Sequence, residues 1–246
     1  MNDNYQRLFQ KRKVGADGEF FSLDFPVAIP NVQKNPVHLI KLNLETPMIS
    51  SLKEIIRSHG DEQKHSSNVK ADMTDWFMHH KYQEFKKLCI HVEAELKRVT
   101  GGAKNRETQK ELPYVTIECW GAVYRKGEKT IPHTHWGSLW SWCYYLKVPD
   151  DAPPFQFVNV YRESKGDKVN LDYINNLTGK SFDIYPQVDD LIFFPSHMRH
   201  GVPESRSNEE RIMIAGNVRV VSNDELLKPK NYIDTIDHQY SPVPYK

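Results

Sequence analysis

The chain's 246 residues are 39% hydrophobic and 26% charged, enough apolar side chains for one large core or two small ones. Lys+Arg 33 against Asp+Glu 32 leaves a net charge of +1, which argues against a nucleic-acid groove or an anionic membrane surface as partner. No window approaches the ~18 apolar residues of a membrane span, no apolar run follows the charged N-terminus as in a secretory signal, and Cys89, Cys119 and Cys143 are too scattered for a disulfide framework or a zinc ribbon, so the expected setting is a reducing cytoplasm.

In chain order, "VHLIKLNLE" alternates like a strand. "PMISSLKEIIRSHG" predicts a helix with Thr46 as N-cap, Pro47 in the first turn, Met48, Ile49, Leu52, Ile55 and Ile56 on one face, and Gly60 as the stop. The polar stretch that follows, to about residue 77, reads as loop. "KYQEFKKLCIHVEAELKRVTGG" predicts a second helix, with Tyr82, Phe85, Leu88, Cys89, Val92, Leu96 and Val99 at helical spacing and Gly101-Gly102 as its end. From about residue 113 the period changes. "PYVTIECWGAVYR", "SLWSWCYYLKV", "PFQFVNV", "SFDIY", "DLIFFP" and "RIMIAGNVRVV" are short, β-branched or aromatic, and bounded by Gly, Pro and Asp.

Helices early and strands late imply an α+β protein, a jelly roll with the N-terminal helices packed on one face. The expected organisation is one domain over 1–246: a helical part to about 110, a jelly-roll core over about 111–222 and a C-terminal tail, 223–246. A polar insertion at 161–180 is long enough to be a lid or a plain surface excursion.

"IPHTHWGSLWSWCYYL" places His133 and His135 one residue apart, and in a strand both would face the same side. With 11 histidines in the chain the pair alone is weak evidence. "DLIFFPSHMRHGVPESRSNEERIMIAGNVRV" adds a buried strand, Leu191 to Phe194, delivering His197 and His200 into a turn, and then Arg211 opening another apolar strand. An arginine there is costly to bury unless it meets an anion. Together these residues fit a facial three-ligand iron site with positions for a bidentate organic acid and O2. Trp136, Trp140, Trp142, Tyr144 and Tyr145 read as sheet core or as a substrate groove, His197 as a support behind the ligands or a surface residue, with the distal ligand position as its alternative, and His65, His79 and His80 as solvated.

The stretches "HTHWGSLWSWCYYLKVP", "DLIFFPSHMRHGV" and "RIMIAGN" resemble the phage and bacterial branch of the Fe(II)/2-oxoglutarate-dependent oxygenases, related to prolyl 4-hydroxylases, over roughly residues 60 to 220. That resemblance implies a double-stranded β-helix with Fe(II) held by His133, His135 and His200, and the C5 carboxylate of 2-oxoglutarate held by Arg211. It also implies hydroxylation of a substrate at the expense of O2 and 2-oxoglutarate. Prolyl-hydroxylase kinship favours a peptidyl proline as substrate over a small metabolite, and phage kinship favours a virus-encoded enzyme acting in the host cytoplasm. The chain departs from the family's pattern in three places. His135 stands where most relatives carry Asp. Met213 stands where a small residue assists the arginine, which leaves Tyr124 or Tyr145 to supply the hydroxyl. Trp142 replaces the glycine of "SGxYY" and could reshape the pocket. The rival reading is a metal-binding cupin, or a jelly-roll interaction module without catalysis. Gly127 ahead of His133 suits a cupin, but no glutamate follows His135 at the right gap, and a cupin has no need of Arg211.

Overall fold

The computed structural model describes residues 27–28, 37–63, 67–105, 107–135, 137–158 and 182–221. The 161–180 insertion, the tail, His65 and Trp136 lie outside them. In chain order the elements are β1 (Val27–Ala28), β2 (His38–Lys41), α1 (Thr46–Ser58), β3 (Val69–Lys70), β4 (Asp72–Met73), α2 (Met78–Lys81), α3 (Gln83–Thr100), β5 (Ala103–Asn105), β6 (Glu111–Leu112), β7 (Tyr114–Tyr124), β8 (Lys129–His133), β9 (Trp140–Lys147), β10 (Phe155–Phe157), β11 (Phe182–Ile184), β12 (Asp190–Pro195), β13 (His200–Val202) and β14 (Arg211–Val220). Both long helices stand where their apolar spacing puts them. The N-cap of α1 is Glu45 rather than Thr46, with Pro47 in the first turn. Gly101 ends α3 in the left-handed region at φ 76, which glycine adopts without strain. The polar stretch after α1 is not all loop, because β3 and β4 give each large sheet an edge. Among the described residues no helix is long and apolar enough to cross a membrane.

A six-stranded sheet runs β2-β12-β9-β14-β7-β4 and a five-stranded sheet runs β11-β10-β13-β8-β3, antiparallel throughout. This is the expected jelly roll. Period-two alternation sorts the side chains of the larger sheet. Trp140, Trp142, Tyr144, Ile212 and Ile214 turn outward, onto Leu52 and Ile56 of α1 and Phe85, Leu88, Val92 and Leu96 of α3. Tyr124, Cys143, Tyr145, Phe194 and Met213 turn inward, against Phe155, Phe157 and Val202 of the smaller sheet.

Trp142 therefore does not shape the pocket. It is fully buried on the helix side, and Gly216, its cross-strand neighbour, makes room for the indole. A Cβ at 216 would lie 2.6 Å from Trp142 Cε2 and 2.7 Å from the Glu118 carbonyl oxygen. We expect Gly216→Ala to lose about 1–3 kcal/mol through overpacking, read as a lower urea midpoint. A midpoint equal to that of the parent would show that the indole can move aside.

Candidate active site

His133 ends β8 and His200 begins β13, and the two are directly paired across the strands. His135 lies two residues beyond the end of β8. The strand alternation expected from the HxH spacing therefore does not place it. Its backbone N–H donates to the Ser196 carbonyl oxygen at 2.9 Å, and that bond ties the chain after β8 to the turn after β12. The result brings three imidazoles together with one potential ligand atom from each, all within 4.8 Å of one another. Ring centroids are 4.5 Å apart for His133 and His200, 4.8 Å for His133 and His135, and 5.1 Å for the stacked pair His135 and His200. Among the described residues no carboxylate or thiol joins this group.

Two of the three rings are oriented in the same way. Nδ1–H of His133 donates to the Ile131 carbonyl oxygen at 2.8 Å, and Nδ1–H of His200 donates to that of Met198 at 2.9 Å. Each bond fixes the ring proton on Nδ1 and leaves the Nε2 lone pair available. The backs of the rings are apolar: Phe155, Phe157 and Phe194 all pack against His200. Burial lowers the pKa of His133. Burial and the neighbouring imidazoles hold His135 well below its ordinary value, and burial, then His133, pulls His200 down to about 3. At neutral pH all three imidazoles are uncharged, which suits a divalent first-row metal such as Fe(II).

These shifts carry a stability consequence. Unfolded histidines titrate near 6.5, so between that pH and the depressed folded values the unfolded chain binds more protons. Stability is therefore complete above about 6.5 and is lost as pH falls toward the value of about 3 for His200, at about 1.4 kcal/mol per pH unit for one such histidine. The metal-free protein should melt at a lower temperature at pH 5 than at pH 7, and His200→Gln should flatten that decline. Equal slopes in parent and variant would contradict the shift.

Arg211 begins β14, opposite Tyr124, and is only 2% exposed. One Nη1–H donates to the Pro153 carbonyl oxygen at 3.0 Å, while Nε and Nη2 have no acceptor among the described residues. The guanidinium lies 4.6 Å from the centre of the Tyr124 ring and 5.9 Å from that of Tyr145. The two candidate hydroxyls differ. Tyr124 Oη is already bonded to Thr130 Oγ1 at 2.6 Å, whereas Tyr145 Oη is buried without a partner among the described residues. Burial pushes both phenols up, so both stay protonated. Buried donors without acceptors are costly. Two guanidinium nitrogens and one hydroxyl left open together form a cradle for an anion.

His197 is exposed and outside the triad. His79 is not solvated as expected: its ring nitrogens are buried, and its pKa is lowered to about 4 by burial, then by His80. The residues that reading the sequence missed stand behind His135. Asn217 takes the next inward position after Arg211, Met213 and Ala215 on β14, with Glu118 and Ser141 as its partners on the flanking strands. A polar residue on the inward face of an apolar strand was the available signal.

The jelly roll thus brings three neutral histidines and a buried arginine to its inward face, an arrangement that suits a divalent metal and an anion. Residues 118–217 match the family model described as a 2OG-Fe(II) oxygenase, and over that stretch the chain is similar to that family. No curated protein matches at the level of sequence. Solved structures show the same fold. The viral collagen prolyl hydroxylase of Paramecium Bursaria Chlorella virus-1, in complex with 2OG, is 17% identical with TM-score 0.51, covering 76% of this chain and 97% of that one. A prolyl-4-hydroxylase of Pseudomonas putida is 15% identical with TM-score 0.52, covering 76% and 94%. The non-heme alpha ketoglutarate dependent epimerase SnoN from nogalamycin biosynthesis is 10% identical with TM-score 0.54, covering 76% and 79%.

Proposed function

We propose that His133, His135 and His200 hold Fe(II), and that Arg211 with the Tyr145 hydroxyl holds the C5 carboxylate of 2-oxoglutarate, in a single-domain hydroxylase. The observation that carries this reading is the buried guanidinium of Arg211, with two nitrogens lacking acceptors among the described residues, on the inward face of the jelly roll that carries the triad. A cupin would leave those donors without a purpose. When bound, the iron supplies O2 activation coupled to decarboxylation: one oxygen atom goes to succinate as CO2 leaves, and the other enters a C–H bond of the substrate.

The protein's own residues prepare that chemistry. The Ile131 and Met198 carbonyl oxygens orient two ligands. Arg211 and Tyr145 fix the far end of the co-substrate, and the guanidinium lies over the Tyr124 ring, 4.6 Å from its centre. Phe155, Phe157 and Phe194 exclude water behind His200.

For the primary substrate we infer a peptidyl proline. Both hydroxylase structures above act in that class by name, and Trp120, 6.1 Å from His135 with Trp76 edge-on against it, offers an apolar wall beside the triad. The near-neutral charge favours a peptide or a small molecule over nucleic acid. Three buried free thiols suit a reducing cytoplasm, and the viral hydroxylase likeness favours a virus-encoded enzyme at work in a host cell. Succinate release with Fe(II), 2-oxoglutarate and air, compared across proline-containing peptides and small metabolites, tests the assignment. Peptide-dependent succinate supports it. Stimulation by a metabolite alone would overturn the substrate class, and no iron-dependent succinate from any candidate would count against the enzyme.

A further inference from the structure

The third histidine is held differently from the other two. His133 and His200 each donate Nδ1–H to a carbonyl oxygen of the chain. His135 Nδ1 instead meets a side-chain amide, with Asn217 Nδ2 at 3.3 Å. An amide can present either end, so the identity of the end facing the ring decides which nitrogen of a neutral imidazole carries the proton.

The partners of Asn217 settle that end. Asn217 is 1% exposed and lies in register between Glu118 on β7 and Ser141 on β9. Glu118 Oε2 is 2.6 Å from Asn217 Nδ2, and the Ser141 hydroxyl is 2.8 Å from Asn217 Oδ1. Ser141 also meets Ser196 Oγ at 2.9 Å. The two hydroxyls can rotate to serve either orientation of the amide, because each donates one bond and accepts others. An ionised carboxylate only accepts. Turning the amide over would set a carbonyl oxygen against Glu118, so Glu118 is the group that keeps the Asn217 NH2 facing His135.

We propose that Glu118, acting through Asn217, is a positioning residue that holds His135 with its lone pair on Nδ1 and its proton on Nε2, opposite to His133 and His200. This rests on the reading of the three histidines as the metal site. Two ligands are then preset to bind through Nε2. The third engages through Nε2 only if the amide turns over, so Glu118 restrains metal affinity.

The test is histidine 15N NMR on the metal-free full chain, where the pattern of nitrogen couplings distinguishes Nδ1–H from Nε2–H rings, with His135→Gln used to assign its signal. His135 should appear as Nε2–H, with His133 and His200 as Nδ1–H. In Glu118→Gln the new amide can donate to Asn217 Oδ1 and release the constraint. His135 should then move toward Nδ1–H, and Mn(II) should bind about 10-fold more tightly, the low end of what outer-shell partners of metal ligands change. A parent spectrum with His135 as Nδ1–H overturns the proposal without any variant. So does a Glu118→Gln protein whose His135 tautomer is unchanged, or whose Mn(II) affinity is unchanged or weaker. Absence of Mn(II) binding in the parent would overturn the metal reading itself, while the tautomer spectrum would still decide the role of Glu118.

Discussion

His200→Ala should abolish measurable Fe(II) or Mn(II) binding in a calorimetric titration. Loss of an outer-shell partner alone costs about 10–100-fold in metal affinity, and His200 supplies one of three ligand atoms directly. The variant also leaves a gap against Phe155, Phe157 and Phe194, so a lower melting temperature is expected beside it. His133→Ala removes the cross-strand partner from a half-buried position and should lose metal with a smaller stability penalty. His135→Asp should keep metal binding, because the Asn217 NH2 already faces that position as a donor. Unchanged affinity in both alanine variants would end the metal reading.

Arg211→Met should weaken 2-oxoglutarate by roughly 30-fold or more while leaving metal affinity in place. The guanidinium is buried and has two nitrogens without acceptors among the described residues, so a carboxylate that meets it is desolvated as well. Truncating one partner of such a pair costs ~2–5 kcal/mol, and ~1.4 kcal/mol is tenfold. Lysine at 211 should recover part of the loss, since it keeps the charge but not the planar fork. Tyr145→Phe should cost less, because it removes one neutral donor, about 0.5–1.5 kcal/mol. Tyr124→Phe should chiefly disturb Thr130, to which its hydroxyl is bonded. Equal 2-oxoglutarate affinity in Arg211→Met and the parent would return the cupin to first place.

The jelly roll was legible because β7, β9, β12 and β14 are β-branched or aromatic runs bounded by Gly, Pro and Asp, and both long helices were legible because their apolar residues recur at helical spacing. The short strands were not. β8 and β13 are five and three residues long, with Pro132 in one and Gly201 in the other, and pairing with each other stabilises them more than propensity does. That is why His200 reads from the sequence as a turn residue, although it stands on a strand opposite His133. The histidines and Arg211 were visible as residue types that an apolar β environment does not explain. The direction of Trp142 could not be read beforehand, because a strand buried on both faces hides its phase and only Gly216 across the sheet accommodates the indole. Glu118 and Asn217 are far apart in sequence, and only the register of β7 with β14 brings them together behind His135.

The measurement that bears most directly on the whole account is an anaerobic titration of the purified protein with Fe(II) and 2-oxoglutarate, followed by visible absorption. A 2-oxo acid chelated to Fe(II) gives a charge-transfer band that neither component gives alone. The account predicts a saturable band only when both are present, absent in His200→Ala and shifted to at least ~30-fold higher 2-oxoglutarate concentration in Arg211→Met, the ratio expected for the lost charge pair. No band in the parent, or a band equally strong in the His200→Ala protein, would contradict it.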